Sequence, residues 1–326
     1  MNSFWAPIGG NPDCFDPRIA YDKYNNRWIF IASANDNSPA SAILIAVSAT
    51  SDPTGVWYLY SIDADGANLV WVDQPLMGFN KNWITIQANM FNISNGAANR
   101  SHIYVINKAQ LYAHGALSFT LLSSSSIGFS QFPVQTYDNT ITTQYLVQDW
   151  NGNSGGKGYL RLYQITPTGT NGAPVLSTIA SPVSPAPWAS NSPRINKGFA
   201  PQSTTTLRIA TNDSRIINAV YRNGFIWAAH TVILPATGTP TRTAAQWWQL
   251  NTSGAVIQRG RIEDTLATAT NGRFFYAFPS ISVNSRNDAL VGYSCFSSSR
   301  FPSAAYSYRL AGDTLSTMRP SVATQL

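Results

Sequence analysis

The feature that most constrains this chain is a pattern repeated five times along it: a short apolar strand, a tight turn, then a second apolar strand. The copies are DPRIAYDKYNNRWIFIASA (Asp16 to Ala34), DQPLMGFNKNWITIQANMF (Asp73 to Phe91) and FPVQTYDNTITTQYLVQDW (Phe132 to Trp150). DSRIINAVYRNGFIWAAH (Asp213 to His230) and FPSISVNSRNDALVGYSCF (Phe278 to Phe296) complete the set. Starts fall about 60 to 80 residues apart, too far for one strand pair and suited to a multi-stranded module.

Two further strand-like runs follow each copy, for example SAILIAVSA and VWYLYSI after the first, and SHIYVIN and LSFTLLS after the second. Five modules of four strands therefore use nearly the whole chain. A lone four-stranded sheet leaves two apolar faces wet, whereas radial stacking covers both. The spacing predicts an all-β fold, a five-bladed β-propeller with four antiparallel strands per blade, as a single domain. Blades are expected at about 16–65, 73–125, 132–182, 213–265 and 278–322. No window keeps a 3.6-residue period, so helix should be scarce. Trp28, Trp57, Trp83, Trp227, Trp247 and Trp248 fall inside strands and should pack blade on blade. Ser181 to Ala200, rich in proline, reads as a loop crossing one face near the fourth blade.

In such a blade the start of strand one and the end of strand two meet at the same face, which converts sequence position into geometry. Strand-one starts supply Asp16, Arg18, Asp73, Gln74, Gln135, Asp213, Arg215 and Ser280. Strand-two ends supply Asn35, Asn89, Asp149, His230 and Tyr293. With one glutamate in the chain, Glu263, carboxylate chemistry must lean on aspartate. Paired carboxylates suit glycosidic cleavage, because one protonates the leaving oxygen while the other activates water or attacks carbon. Asp16, Asp73 and Asp213 are the candidate catalytic carboxylates, with His230 as a candidate proton shuttle. Arg18, Arg215, Gln74, Gln135, Asp149 and Tyr293 are candidate substrate ligands. Aspartates at strand starts also cap turns, and a strand-end histidine also serves as a core residue.

Other chemistries lack their motifs: there is no GxSxG elbow, phosphate-binding loop, HExxH or CxxC. No cofactor is implied, and a structural calcium would find oxygen donors only at the turns holding Asp63, Asp65, Asn151 and Asn153. The formal charge of +6 is spread without a basic run, which argues against nucleic acid. No apolar stretch reaches 18 residues, so no membrane span is expected. Few Lys and Glu beside many Ser, Thr, Asn and Trp suit a secreted or cell-surface monomer. Cys14 precedes the first inner strand and Cys295 ends the second strand of the last blade. In a five-bladed ring these blades are neighbours, so a Cys14–Cys295 disulfide is expected across the seam.

TSDPTGVW, Thr50 to Trp57, resembles the Asp-box of sialidases and related propellers, with Asp52 and Trp57 at the family spacing and Gly55 displaced by one residue. That resemblance implies architecture, a turn between third and fourth strands, and no catalytic role. DPRIAYDKYNNRW, AVSATSDPTGVWYLYSID, GFNKNW and FPSISVN with GYS and FPSAAYSYR resemble a group of largely uncharacterised bacterial secreted propeller proteins. Five-bladed propeller glycosidases are similar in architecture and place three acidic residues at strand starts, where Asp16, Asp73 and Asp213 stand here. A sialidase would need three arginines, for which Arg18, Arg215 and Arg194 are available. The functional expectation is a secreted carbohydrate-active protein, cleaving a glycosidic bond in an extracellular polysaccharide, neutral or anionic. Two alternatives stand beside it: a propeller that binds glycan or protein without catalysis, and a lyase on uronic-acid polymers.

Overall fold

The computed structural model describes residues 2–189 and 198–324, so Arg194 lies outside the described residues. The chain divides into two compact units. One comprises Met1–Pro133, Asn139–Gln144 and Ile165–Leu176; the other comprises Val134–Asp138, Tyr145–Gln164 and Ser177–Leu326.

The first unit opens with a one-turn helix, α1 (Asn2–Trp5). The first blade follows as β1 (Cys14–Asp22), β2 (Arg27–Ala34), β3 (Ala42–Ser48) and β4 (Trp57–Asp63), each antiparallel to the next. The second blade is β5 (Val70–Phe79), β6 (Trp83–Asn92), β7 (Ala98–Asn107) and β8 (Phe119–Ser124), again antiparallel throughout. Strand β3 is buried along its whole length because both faces are covered. Ile43, Ile45 and Val47 pack with Ile29 and Ile31 against Val72, Met77, Ile84 and Ile86 of the second blade. Ala42, Leu44 and Ala46 point the other way, onto Trp5 and Phe4 of α1. Full burial of Trp5 is worth roughly 2–3 kcal/mol. A second short helix, α2 (Lys108–Tyr112), starts at Asn107, whose side chain accepts from Gln110 N–H. It carries Lys108 to the buried Asp22 at 2.9 Å, where the Tyr112 hydroxyl also donates at 3.0 Å. Strand β9 (Phe132–Pro133) ends the first of this unit's three segments.

The second unit begins with β10 (Gln135–Thr136), which lies parallel to a later strand, Gln135 facing Val220. The third blade contributes β11 (Gln144–Ser154), β12 (Lys157–Thr166) and β13 (Val175–Ala180), with β14 (Val183–Ser184) pairing on β12. The fourth blade is β15 (Ile216–Arg222), β16 (Phe225–Leu234), β17 (Arg242–Asn251) and β18 (Val256–Ile262). The fifth is β19 (Phe275–Val283), β20 (Ala289–Ser297), β21 (Arg300–Arg309) and β22 (Arg319–Thr324). Trp227 and Trp247 stack at 6.2 Å and pack with Ile281, Val291 and Tyr293. The fold is an all-β, five-bladed propeller with antiparallel blades. Among the described residues no helix is long and apolar enough to cross a membrane.

Three inner strands carry the same irregularity. Asp16 and Pro17 together oppose a single residue of β2, as do Gln74 and Pro75 on β6 and Phe278 and Pro279 on β20. The residue before each proline sits in the left-handed region, at φ of +49°, +48° and +55°. Proline has no N–H to give a ladder, so it is tolerated where a bulge has already broken the pairing. The bulge re-aims the side chains beside it, and in the first two blades those include aspartates.

Candidate functional site

The ends of β1, β2 and β5 surround an open pocket of about 410 Å³ lined by Asp13, Phe15, Asp16, Asp36, Trp71 and Asp73, all from the first unit. Asp13 and Asp36 flank the end of the first hairpin. That end is closed by Asn35, which donates its backbone N–H to Asp13 O at 2.9 Å and accepts the Asp13 N–H on its side chain at 3.0 Å. Asn35 is itself left-handed, at φ +56°, a conformation asparagine tolerates better than most residues. Asp16 stands at the β1 bulge and Asp73 at the β5 bulge, opposite Asn89. Trp71, two residues before Asp73, stacks on Phe91 at 5.4 Å and approaches Phe15 at 6.4 Å. Its indole N–H is enclosed and has no protein acceptor. The lining thus combines carboxylates with an aromatic wall, and among the described residues it holds no basic side chain.

Two of the candidates named from sequence, Asp16 and Asp73, share this pocket. Gln74 is the left-handed residue of the second bulge and accepts from Asn89 at 3.3 Å. Arg18 lies inside β1 with its guanidinium 5.8 Å from the Phe132 ring centre. Gln135 sits on the two-residue strand β10.

The fourth blade treats its candidates differently. Arg215 precedes β15 rather than lying inside it, so it does not occupy the place Arg18 has in β1. It is fastened to Asp213, which accepts from both its backbone N–H and its guanidinium. His230 is fully buried, and this corrects its reading as a proton shuttle. Nδ1 lies 2.7 Å from Ser214 O, which can only accept, so Nδ1 carries the proton. Nε2 accepts from Trp248 Nε1 at 3.1 Å, with Gln246 Nε2 at 3.2 Å. Burial holds His230 down at about 4, so it is neutral at pH 7 and has no nitrogen left for a substrate. Asp149 is likewise enclosed: one carboxylate oxygen accepts from the Ser214 hydroxyl and, at 3.5 Å, from Trp188 Nε1, while the other has no partner. Burial pushes Asp149 up to about 7 against the pull of those two hydrogen bonds.

Two further expectations are corrected. Tyr293 is buried and faces Tyr276 edge-on at 5.1 Å, its hydroxyl 2.9 Å from that of Ser307, so it is a core residue rather than a substrate ligand. Cys14 and Cys295 are both free thiols, not a disulfide. Cys14 packs beside Trp5 and donates to Pro12 O at 3.5 Å, while Cys295 shares the buried face of β20 with Val291 and Tyr293. Burial raises both thiols, Cys295 to about 11.

The turn residues on which a structural calcium would have to draw serve the backbone. Asp63 accepts from Asp65 N–H, Asp65 from Leu69 and Val70 N–H, and Asn151 from Asn153 N–H. Among the described residues no group of three His, Cys, Asp or Glu is placed to hold a metal. The Thr50 to Trp57 segment forms the β3–β4 turn. Asp52 there accepts from Thr54 N–H and hydroxyl, which lowers its carboxyl, and Trp57 Nε1 donates to Pro53 O at 2.9 Å.

Sequence reasoning missed Asp13, Phe15, Asp36 and Trp71. Asp13 and Asp36 sit just beyond β1 and β2, outside the repeated segment. Trp71 could have been found by strand parity, since a residue two before Asp73 shares its face.

No family model matches the chain, and no curated protein matches it. Among solved structures it is similar to an α-L-arabinofuranosidase from Lactobacillus brevis, at 12% identity and TM-score 0.43, covering 95% of each chain. It is similar to a xylan β-1,4-xylosidase from Bacillus halodurans at 13% identity and TM-score 0.42, covering 97% of this chain and 58% of that one. An α-L-arabinofuranosidase from Clostridium thermocellum gives 14% identity and TM-score 0.42, over 95% of this chain and 93% of the other.

Proposed function

We propose that this protein cleaves a glycosidic bond in an extracellular polysaccharide, with Asp16 and Asp73 as the carboxylate pair. The observation that carries the reading is their meeting in one open pocket beside an aromatic wall. One carboxyl protonates the leaving oxygen while the other activates water or attacks the anomeric carbon. Trp71 offers a ring face for the apolar side of a sugar. Asp13 and Asp36 add negative potential, which favours a glycan without acidic groups at this subsite. A uronic-acid lyase needs an arginine against the carboxylate and an accessible base. Among the described residues the pocket lining has no basic side chain, and His230 is buried, so that alternative is the weaker one.

Asp16→Asn and Asp73→Asn test the reading against a panel of neutral and uronic-acid polysaccharides, with reducing ends as the readout. Each substitution should lower hydrolysis of a neutral polymer by about 100-fold or more at unchanged Tm. Undiminished hydrolysis in both variants would remove the carboxylate mechanism. Saturable glycan binding without any hydrolysis by the wild type would make this a binding module.

A further inference from the structure

Behind Asp73 runs a chain of buried amides and hydroxyls that the pocket itself does not use. Gln131 donates to the carbonyls of Ile127 and Gly128 at 2.9 and 3.0 Å, and its side-chain oxygen accepts from Ser101 at 2.7 Å. The Ser101 oxygen accepts from Gln87 Nε2 at 2.9 Å, and that same amide donates to Asn89 Oδ1 at 3.0 Å. Asn89 in turn donates to Gln74 Oε1 and to the Ser130 hydroxyl, both at 3.3 Å, and takes the Ser130 N–H at 3.0 Å. The side-chain amides of Gln131, Gln87 and Asn89 each donate twice, which orients them, while Gln87 Oε1 is buried without a partner. Gln87, Asn89, Ser101 and Gln131 are 0–2% exposed.

Such a network is costly to bury and is weak evidence for stability, since well-packed apolar residues often serve a core as well. What it touches at its open end is Gln74, the left-handed residue of the bulge that turns Asp73 into the pocket. Asn89 also faces Asp73 directly across the ladder. We infer that Asn89 is a positioning residue: through Gln74 it fixes the β5 bulge and with it the direction of the Asp73 carboxylate. This rests on the proposed use of Asp73, but its consequence is local and can be read without turnover.

The test is a carbon-13 titration of the aspartate carboxyls in the full chain, comparing wild type with Asn89→Leu, Gln74→Met and Ser130→Ala. Asn89→Leu and Gln74→Met both remove the Asn89–Gln74 bond, and the second keeps the buried side intact should the first fail to fold. Each should move the Asp73 curve by about half a pH unit or more while Asp13 and Asp36 stay in place. Ser130→Ala removes a different bond of Asn89 and should leave Asp73 where it was. An unmoved Asp73 in folded Gln74→Met, or an equal shift in Ser130→Ala, would overturn the assignment. Failure of Asp73→Asn to affect hydrolysis would sink the functional reading alone and leave this result standing.

Discussion

The inner strand of the second blade and the approach to the fourth begin alike, with an aspartate near the end of a strand pair, and they come to opposite ends. At β5 the bulge of Gln74 and Pro75 breaks the ladder and leaves Asp73 lining an open pocket. Residues 202–222, which lead into and form β15, hold no proline. Asp213 folds back on Arg215, while Asp149, Ser214 and His230 are roofed by Trp188 and Trp248. The same two ingredients, carboxylate and aromatic ring, thus make a surface able to meet a ligand in one place and a filled core in the other. What separates them is enclosure: Asp73 lines an open pocket, whereas His230 and Asp149 are covered by tryptophan rings. The contrast can be broken experimentally from either side.

The largest effect is expected at His230. Its ring makes hydrogen bonds through both nitrogens and lies edge-on to Trp188 at 5.2 Å. His230→Ala removes these and leaves a cavity plus unsatisfied groups on Trp248 and Ser214, a cost of about 3–4 kcal/mol. Urea unfolding at pH 7 measures it. A loss below about 1 kcal/mol would mean the cluster is no core, and the contrast with the pocket would fail.

A smaller, pH-dependent effect belongs to Asp149. Its folded carboxyl is raised from 3.8 to about 7, so it binds a proton the unfolded chain releases, and stability falls as pH rises between those values. His230 is lowered from 6.5 to about 4, so stability falls as pH drops through that window. The two contributions are each of the order of 3 kcal/mol and oppose one another over nearly the same range. In the wild type they largely cancel. Asp149→Asn should remove one slope, so the variant gains stability relative to wild type as pH rises from 4 to 7. Urea midpoints across that range give the answer, and a constant offset between the two proteins would refute it.

This contrast also shows what could be read from residues alone. The repeat itself announced the blades, and the X-Pro steps inside it, Asp16-Pro17, Gln74-Pro75 and Phe278-Pro279, mark bulges for a reason any sheet must obey. Asp16 and Asp73 followed from the rule that strand-one starts gather at one face. Asp13 and Asp36 escaped because that rule stopped at the repeat's edge, although the pairing continues through Asn35. His230 was expected at a strand end but lies inside β16, and what covers it is Trp188, brought from a proline-rich segment whose path no local pattern specifies. Tyr293 and Cys295 alternate with Val291, so strand parity already pointed them at one apolar face. The helix that covers the first blade is four residues long, too short for any periodicity to reveal.

The smallest effect expected is at Trp71, and it addresses the pocket's side of the contrast. The ring is half-buried, with Phe91 stacked on it and Phe15 nearby, so truncation should leave the blade folded. If the wall is there for a sugar, Trp71→Ala in an Asp16→Asn background should weaken binding of a neutral oligosaccharide by about tenfold, or 1.4 kcal/mol. Trp71→Phe keeps a ring with a smaller face, and should fall between the two. Calorimetric titration of the three proteins measures the stacking by these steps. Equal affinity in all three would mean that Trp71 is packing for Phe91 and nothing more. The pocket would then be four carboxylates without a sugar-binding wall, and the difference between the two regions would reduce to solvent exposure.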